Sequence, residues 1–176
     1  MAIAADPKLK KYVPPEGEHY IIVSGNPNSG KSTVVGMLLK MKYKAEKTKT
    51  GMYAITFMAD NAPKVSDGSS LTATVEIQRY QNGDTILYDV PALKNHGLRK
   101  EFENCVESSN LYLSNRFVKQ VLVFDVNELT DARGHDFLEF MRKFVSKYNV
   151  EALQTALDST LVIINKVRFD DYDGPE

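Results

Sequence analysis

Gly25-Asn26-Pro27-Asn28-Ser29-Gly30-Lys31-Ser32 is the stretch on which the reading of this chain turns. It satisfies the spacing GxxxxGK[ST], and its setting says as much as its spacing. The apolar, partly β-branched run His19-Tyr20-Ile21-Ile22-Val23-Ser24 comes before it and has the profile of a buried strand. After it, from Lys31 to about Lys42, Val34, Val35, Leu38, Leu39 and Met41 fall at helical spacing. In a strand, glycine loop and helix joined in that order, successive loop N–H groups turn inward and the helix adds its positive dipole end. The loop is therefore expected to cradle phosphate oxygens through Gly25, Asn28, Ser29, Gly30, Lys31, Ser32 and Thr33. Lys31 is expected to be an exposed loop lysine that reaches the β- and γ-phosphates, and the Ser32 hydroxyl to ligate Mg²⁺. The competing reading is a glycine-rich turn that only joins strand to helix.

Working outward, Tyr53-Ala54-Ile55-Thr56-Phe57-Met58 reads as a strand, and the polar stretch through Asn61, Pro63, Asp67, Gly68 and Ser70 as a loop. Thr74 to Tyr80 alternates with period two, Asn82-Gly83 is a tight-turn signal, and Thr85-Ile86-Leu87-Tyr88-Asp89 follows, so the two runs predict an antiparallel hairpin. Residues 98–117 carry helical spacing, and Val121-Leu122-Val123-Phe124 is a strand. Phe137, Phe140, Met141, Phe144 and Val145 mark an amphipathic helix, and Leu161-Val162-Ile163-Ile164 is a further strand. Strands that alternate with helices after a hairpin predict an α/β three-layer sandwich with a mostly parallel sheet and one antiparallel hairpin strand. Residues 1–18, rich in lysine, proline and glutamate, read as an N-terminal arm, and residues 19–176 as one nucleotide-binding domain.

The bulk numbers narrow the partners. A chain of 176 residues with 43% hydrophobic composition is of a size to fold as one domain. Its 22 basic and 23 acidic side chains give a net charge of −1, so there is no global field to draw nucleic acid or an anionic membrane. Basic stretches such as Lys40-Met41-Lys42-Tyr43-Lys44 are expected to be a solvated helix end. Cys105, the single cysteine, belongs to no metal-type spacing and is expected to be a small buried hydrophobe. No run of about 18 apolar residues occurs. These features predict a soluble, intracellular, cytoplasmic protein, with peripheral membrane association left open.

A second acid is expected where a neighbouring strand ends. Asp89 leaves Thr85-Ile86-Leu87-Tyr88 and is followed by Val90-Pro91-Ala92, placing it to hold a Mg²⁺-bound water. Phosphate loop, hairpin, Asp89-Val90-Pro91-Ala92 and the later Leu161 to Asn165-Lys166 occur in the order found in P-loop GTPase domains. Over about residues 19–170 the chain resembles the domain shared by small GTPases, septins, immunity-associated GTPases and dynamin-like proteins, and looks closest to the larger branches. The resemblance implies a P-loop NTPase fold, Mg²⁺ and GTP or GDP as ligands, and a switch threonine that closes on Mg²⁺ and the γ-phosphate. Thr50 is the first candidate for that threonine, and Thr48, Thr72 and Thr74 are the others. It also implies that Asn165 ties loops together while the Lys166 stem lies along the guanine ring. The sequence as given ends at Glu176, before the strand and helix that complete the family fold, and is expected to be a reduced domain or part of a longer chain.

The departures bear on activity. Ala92 stands where the family's DxxG has glycine, and Leu93 where many small GTPases carry the glutamine that orients water. His96 is the candidate to orient water in its place, against the plainer reading of an exposed loop histidine. Arg168 stands where NKxD has its base-reading aspartate, with Asp170 or Asp171 near enough to substitute through a shifted loop. The leading expectation is a Mg²⁺-dependent GTP-binding protein that hydrolyses slowly and acts as a switch or assembly protein, meeting a protein partner or its own copy through the switch regions. The others are a pseudo-GTPase structural subunit and an ATP-using phosphotransferase; the choice of guanine or adenine stays open at this point.

Overall fold

The computed structural model describes residues 19–47, 53–63, 65, 76–92, 98–113 and 119–166. Its strands are β1 (Ile21–Gly25), β2 (Tyr43–Lys47), β3 (Tyr53–Phe57), β4 (Gln78–Asn82), β5 (Thr85–Asp89), β6 (Lys119–Asp125) and β7 (Thr160–Asn165). Its helices are α1 (Lys31–Leu38), α2 (Leu98–Leu113), α3 (Val126–Thr130), α4 (His135–Val145) and α5 (Val150–Asp158). Five strands form one sheet in the order β4-β5-β1-β6-β7, and β2 and β3 pair as a separate antiparallel ribbon. β1 runs parallel to β5 and β6, and β6 parallel to β7, while β4 and β5 are antiparallel. This is the expected α/β architecture, a mostly parallel sheet with one antiparallel hairpin strand. The order reverses beside β1: the chain goes out to β4 and β5 and then crosses to β6 and β7. In open α/β sheets such a reversal leaves a crevice at the carboxyl ends of the strands, where ligands bind.

Alternation along the strands divides the core into two faces. Val23, Leu87, Val121 and Val123 point toward Val34, Val35 and Leu39 of α1 and its end. Ile22 and Tyr88 face the other way with Tyr20 and Leu111 of α2, and Leu122 and Phe124 meet Phe144 of α4. The Phe124 ring lies edge-on to Phe137 and Phe140 with centroids 4.9 and 5.1 Å apart, so the aromatic stripe read from the sequence is the inner face of α4. On the α1 side, buried Phe57 lies against Gly36 so closely that a Cβ there would sit 2.2 Å from the ring.

Several boundaries differ from expectation. α1 stops at Leu38, not near Lys42, because Lys40 adopts a left-handed conformation with φ 53°. The Met41 N–H then bonds the Gly36 carbonyl and the Lys40 N–H the Met37 carbonyl, both paired as in a Schellman stop. Only the start of the stretch Lys40 to Lys44 is a helix end: Lys40 and Met41 complete the stop of α1, whereas Tyr43 and Lys44 already belong to β2, a wholly exposed strand. The hairpin turns at Gly83-Asp84, with Asn82 opposite Thr85, and β4 occupies Gln78–Asn82, starting after Glu76 and Ile77 and running two residues past Tyr80; Thr74 and Val75 lie outside the described residues. Cys105 is exposed, contrary to the buried reading. The buried face of α2 is carried by Asn104, Ser108 and Leu111 at helical spacing, which leaves position 105 about 100° round from it. Among the described residues, no helix is long and apolar enough to cross a membrane. The N-terminal arm, residues 1–18, lies outside the described residues.

Candidate functional site

The parallel register places the ends of four strands side by side. Val23 is opposite Asp89, Gly25 opposite Val123, and Asp125 opposite Asn165, so loops leaving β1, β5, β6 and β7 emerge on one edge. The loop from β1 runs directly into α1. Its last residue, Gly30, is the helix N-cap at φ 91°, a left-handed conformation that favours glycine. Among the described residues no side chain caps this helix, and its first turn holds no acid. The leading N–H groups of a helix have no intrahelical partner, so this end is open to an anion.

Lys31 and Asp89 give the site its charge. Lys31, expected to be exposed, is buried at 8% relative exposure, and its Nζ turns back to donate to the Asn26 carbonyl of its own loop at 2.8 Å. Burial lowers the pKa of this ammonium, and the carboxylates of Asp89 and Glu128 pull it back up. Asp89 is fully buried, and burial raises its carboxyl above the ordinary value against the opposing pull of Lys31 and a hydrogen bond from Ser32. Ser32 Oγ donates to Asp89 Oδ2 at 3.0 Å, whereas Asp89 Oδ1 is buried with no hydrogen-bond partner among the described residues. A hydroxyl and a buried carboxylate with one free oxygen are a hard oxygen donor set of the kind Mg²⁺ takes, so the residues present fit that ion. Thr33, half-buried, follows Ser32 in the first turn.

The far side of the loop is held from β7. Asn165 Nδ2 donates to the Ser29 carbonyl at 3.1 Å, and its Oδ1 accepts from the Lys166 N–H. Lys166 Nζ donates to the Asn28 carbonyl and to Asp125 Oδ2, the latter at 2.7 Å. Asn28 has φ 61° and Lys166 φ 60°, so both ends of this contact sit in left-handed backbone, which asparagine tolerates better than most residues. Ser29 is buried, its Oγ lacking a partner among the described residues.

Of the residues picked from the sequence, Gly25, Asn28, Ser29, Gly30, Lys31, Ser32, Thr33, Asp89, Asn165 and Lys166 converge on this edge. Thr50, His96 and Asp170 lie outside the described residues, as do Thr48, Thr72, Thr74, Leu93, Arg168 and Asp171. Ala92 is buried. Sequence reasoning missed Asn26, Asp125 and Glu128: Asn26 Nδ2 donates to Glu128 Oε2 at 2.6 Å, and Asp125 takes Lys166. Asp125-x-x-Glu128 directly after an apolar strand is a legible helix-capping signal.

No protein-family model matches the chain, and no curated protein matches it. Among solved structures, the fold is similar to that of the G domain of the T. maritima FeoB iron transporter, at 14% identity and a TM-score of 0.31 over 83% of this chain and 86% of that one.

Proposed function

We propose that this chain binds a guanine nucleotide with Mg²⁺ and hydrolyses GTP slowly, acting as a switch or assembly protein. The observation that carries the proposal is the convergence, at the carboxyl edge of one sheet, of an uncapped helix N-terminus with Lys31, the Ser32–Asp89 pair and Asn165–Lys166. In this reading the α1 amides and Lys31 take the phosphates, with Lys31 leaving the Asn26 carbonyl for a phosphate oxygen. Ser32 would ligate Mg²⁺ and Asp89 would hold a Mg²⁺-bound water, and the ion would screen phosphate charge. Asn165 fixes the loop from behind, and the Lys166 stem offers a flat apolar surface to a base. Thr50 would close on the γ-phosphate and His96 would orient water, while Leu93, which has no polar group, keeps turnover well below the enzyme median of about 10 per second. Asp170 is the proposed base-reading carboxylate.

Titration of the protein with GDP, GTP and ATP, with and without Mg²⁺, tests the proposal. Tight guanine-nucleotide binding that Mg²⁺ strengthens, and that Lys31→Ala reduces at least tenfold, is the expected result. Equal affinity in the Lys31→Ala variant would overturn the phosphate-loop assignment. The second reading, a pseudo-GTPase, draws on the Ser32–Asp89 and Lys31–Asn26 bonds, which give the Ser32 hydroxyl and the Lys31 ammonium partners within the chain. Nucleotide binding without turnover, or no binding, would favour it.

A further inference from the structure

α3 is five residues long, and none of its side chains is fully buried. It does carry a closed capping box. Asp125 Oδ1 accepts from the Asn127 N–H at 3.0 Å, and Glu128 Oε1 accepts from the Asp125 N–H at 3.2 Å. Each carboxylate then has a second oxygen, and each second oxygen leaves the helix. Asp125 Oδ2 takes the Lys166 ammonium at 2.7 Å, and Glu128 Oε2 takes the Asn26 amide at 2.6 Å. Lys166 closes the circuit by donating to the carbonyl of Asn28. A single helical turn thus ties the start of the phosphate loop to the lysine on its far side.

We infer that Asp125 and Glu128 are positioning residues that use one capping box as a strap between the phosphate half and the base half of a nucleotide site. The inference rests on the nucleotide-binding reading and deepens it. A lysine stem offers a base a flat surface only when its many rotamers are reduced to one. Here the ammonium is fixed at two points, the Asn28 carbonyl and Asp125. Burial works to raise the Asp125 carboxyl, but hydrogen bonds from Lys166 and Asn127 prevail and hold it below the ordinary value, so the carboxylate stays charged against the lysine. Glu128 acts on the other half. It holds the Asn26 side chain while the Asn26 carbonyl receives Lys31, so the geometry of the loop's first residue depends on it.

The two carboxylates are therefore expected to fail differently. Asn serves as well as Asp at an N-cap, so Asp125→Asn keeps the turn through its one remaining acceptor oxygen and leaves Lys166 facing an uncharged amide NH2 that cannot accept. Affinities for GDP and for pyrophosphate, each with Mg²⁺, would be measured for wild type, Asp125→Asn, Glu128→Gln, Lys166→Met and the Asp125→Asn/Lys166→Met double variant. Asp125→Asn should weaken GDP about tenfold (~1.4 kcal/mol) while changing pyrophosphate less than about twofold. Glu128→Gln keeps only one acceptor oxygen for two donors and should weaken both ligands by a similar factor. The double variant should bind GDP no worse than Lys166→Met alone, since Asp125 acts through that lysine. Equal losses for both ligands in Asp125→Asn, no loss for either, or additive losses in the double variant would overturn the strap. Failure of wild type to bind either ligand would instead overturn the nucleotide reading, and the strap with it.

Discussion

Ser32 Oγ donates a hydrogen bond to Asp89 Oδ2 across 3.0 Å, joining the first turn of α1 to the last residue of β5. Residues 57 positions apart meet because β1 and β5 are parallel with Val23 opposite Asp89, so the loop leaving β1 must pass the end of β5. The arrangement has a cost. Asp89 is fully buried and its Oδ1 has no partner among the described residues, and an unsatisfied buried acceptor costs about 1–3 kcal/mol. A divalent cation bound there would relieve that cost, which gives the pair a use that burial alone does not.

Asp89→Ala is accordingly expected to weaken nucleotide binding in Mg²⁺ about tenfold or more, and to change Mg²⁺-free binding by less than about threefold. Calorimetric titration with Mg²⁺ and with EDTA separates the two. Equal losses under both conditions would assign Asp89 a purely structural role.

The same burial makes stability depend on pH. Burial raises the Asp89 carboxyl above its usual 3.8, so the folded protein holds this proton more tightly than the unfolded chain. The group's contribution then favours the folded state below 3.8 and is lost as pH rises through the folded value. Asp89→Asn, which cannot ionise, should gain stability relative to wild type across that rise, in EDTA. Urea unfolding of both proteins at a series of pH values measures this, and a difference constant with pH would contradict it.

Much of the architecture was legible because its signals are local. Asn82-Gly83 marked the hairpin, and Gly83 indeed has φ 57° in the turn. The Phe137 to Phe144 spacing marked the inner face of α4, and GxxxxGK[ST] marked the loop between β1 and α1. What escaped was decided elsewhere in the chain. The end of α1 is a Schellman stop on Lys40, where glycine would have announced it, and its Leu39 carbonyl is capped from a distance by Asn82 Nδ2 at 2.6 Å. β2 is charged and exposed, so nothing in Tyr43-Lys44-Ala45-Glu46-Lys47 separates strand from helix until β3 pairs with it. α5 also went unread, although Asn149 caps it by accepting from the Ala152 N–H at 2.7 Å. In the site, the motif named Lys31, Ser32 and Asn165 by type, but not that Lys31 is buried or that Asp125 and Glu128 hold its surroundings. Those facts depend on contacts between the loop after β1, the turn after β6 and the end of β7, which no local pattern specifies.

Gly30→Ala should be among the more damaging small changes in the molecule. Its backbone is left-handed, and an added Cβ would lie 2.1 Å from Asn165 Nδ2. Asn165 can withdraw only by abandoning its bond to the Ser29 carbonyl, so strain and a lost hydrogen bond combine to a cost of about 2–4 kcal/mol. Gly83→Ala is the matched control. It too has a positive φ, but nothing lies within 4 Å of its Cβ position, so about 1–2 kcal/mol is expected. Chemical denaturation of the two variants should rank them in that order, and the reverse ranking would show that Asn165 does not constrain the loop.

Base selectivity turns on chemistry after Lys166. If Arg168 occupies the position that faces guanine N1 and N2, two donors meet a cation with no acceptor, and GTP should be preferred over ATP only slightly. If the loop instead brings Asp170 or Asp171 to the base, one carboxylate accepts both hydrogens and guanine is favoured strongly. Removing that carboxylate would leave unpaired donors at a cost of about 1–3 kcal/mol or more. The second case is expected, with Asp170 the reader. Competition among GTP, ATP and XTP for wild type, Asp170→Asn and Asp171→Asn decides it. The proposed outcome is a shift toward XTP in Asp170→Asn, because an amide presents a donor where xanthine carries an oxygen. A shift in Asp171→Asn alone would reassign the role by one residue, and strong guanine preference surviving both substitutions would refute the carboxylate reading.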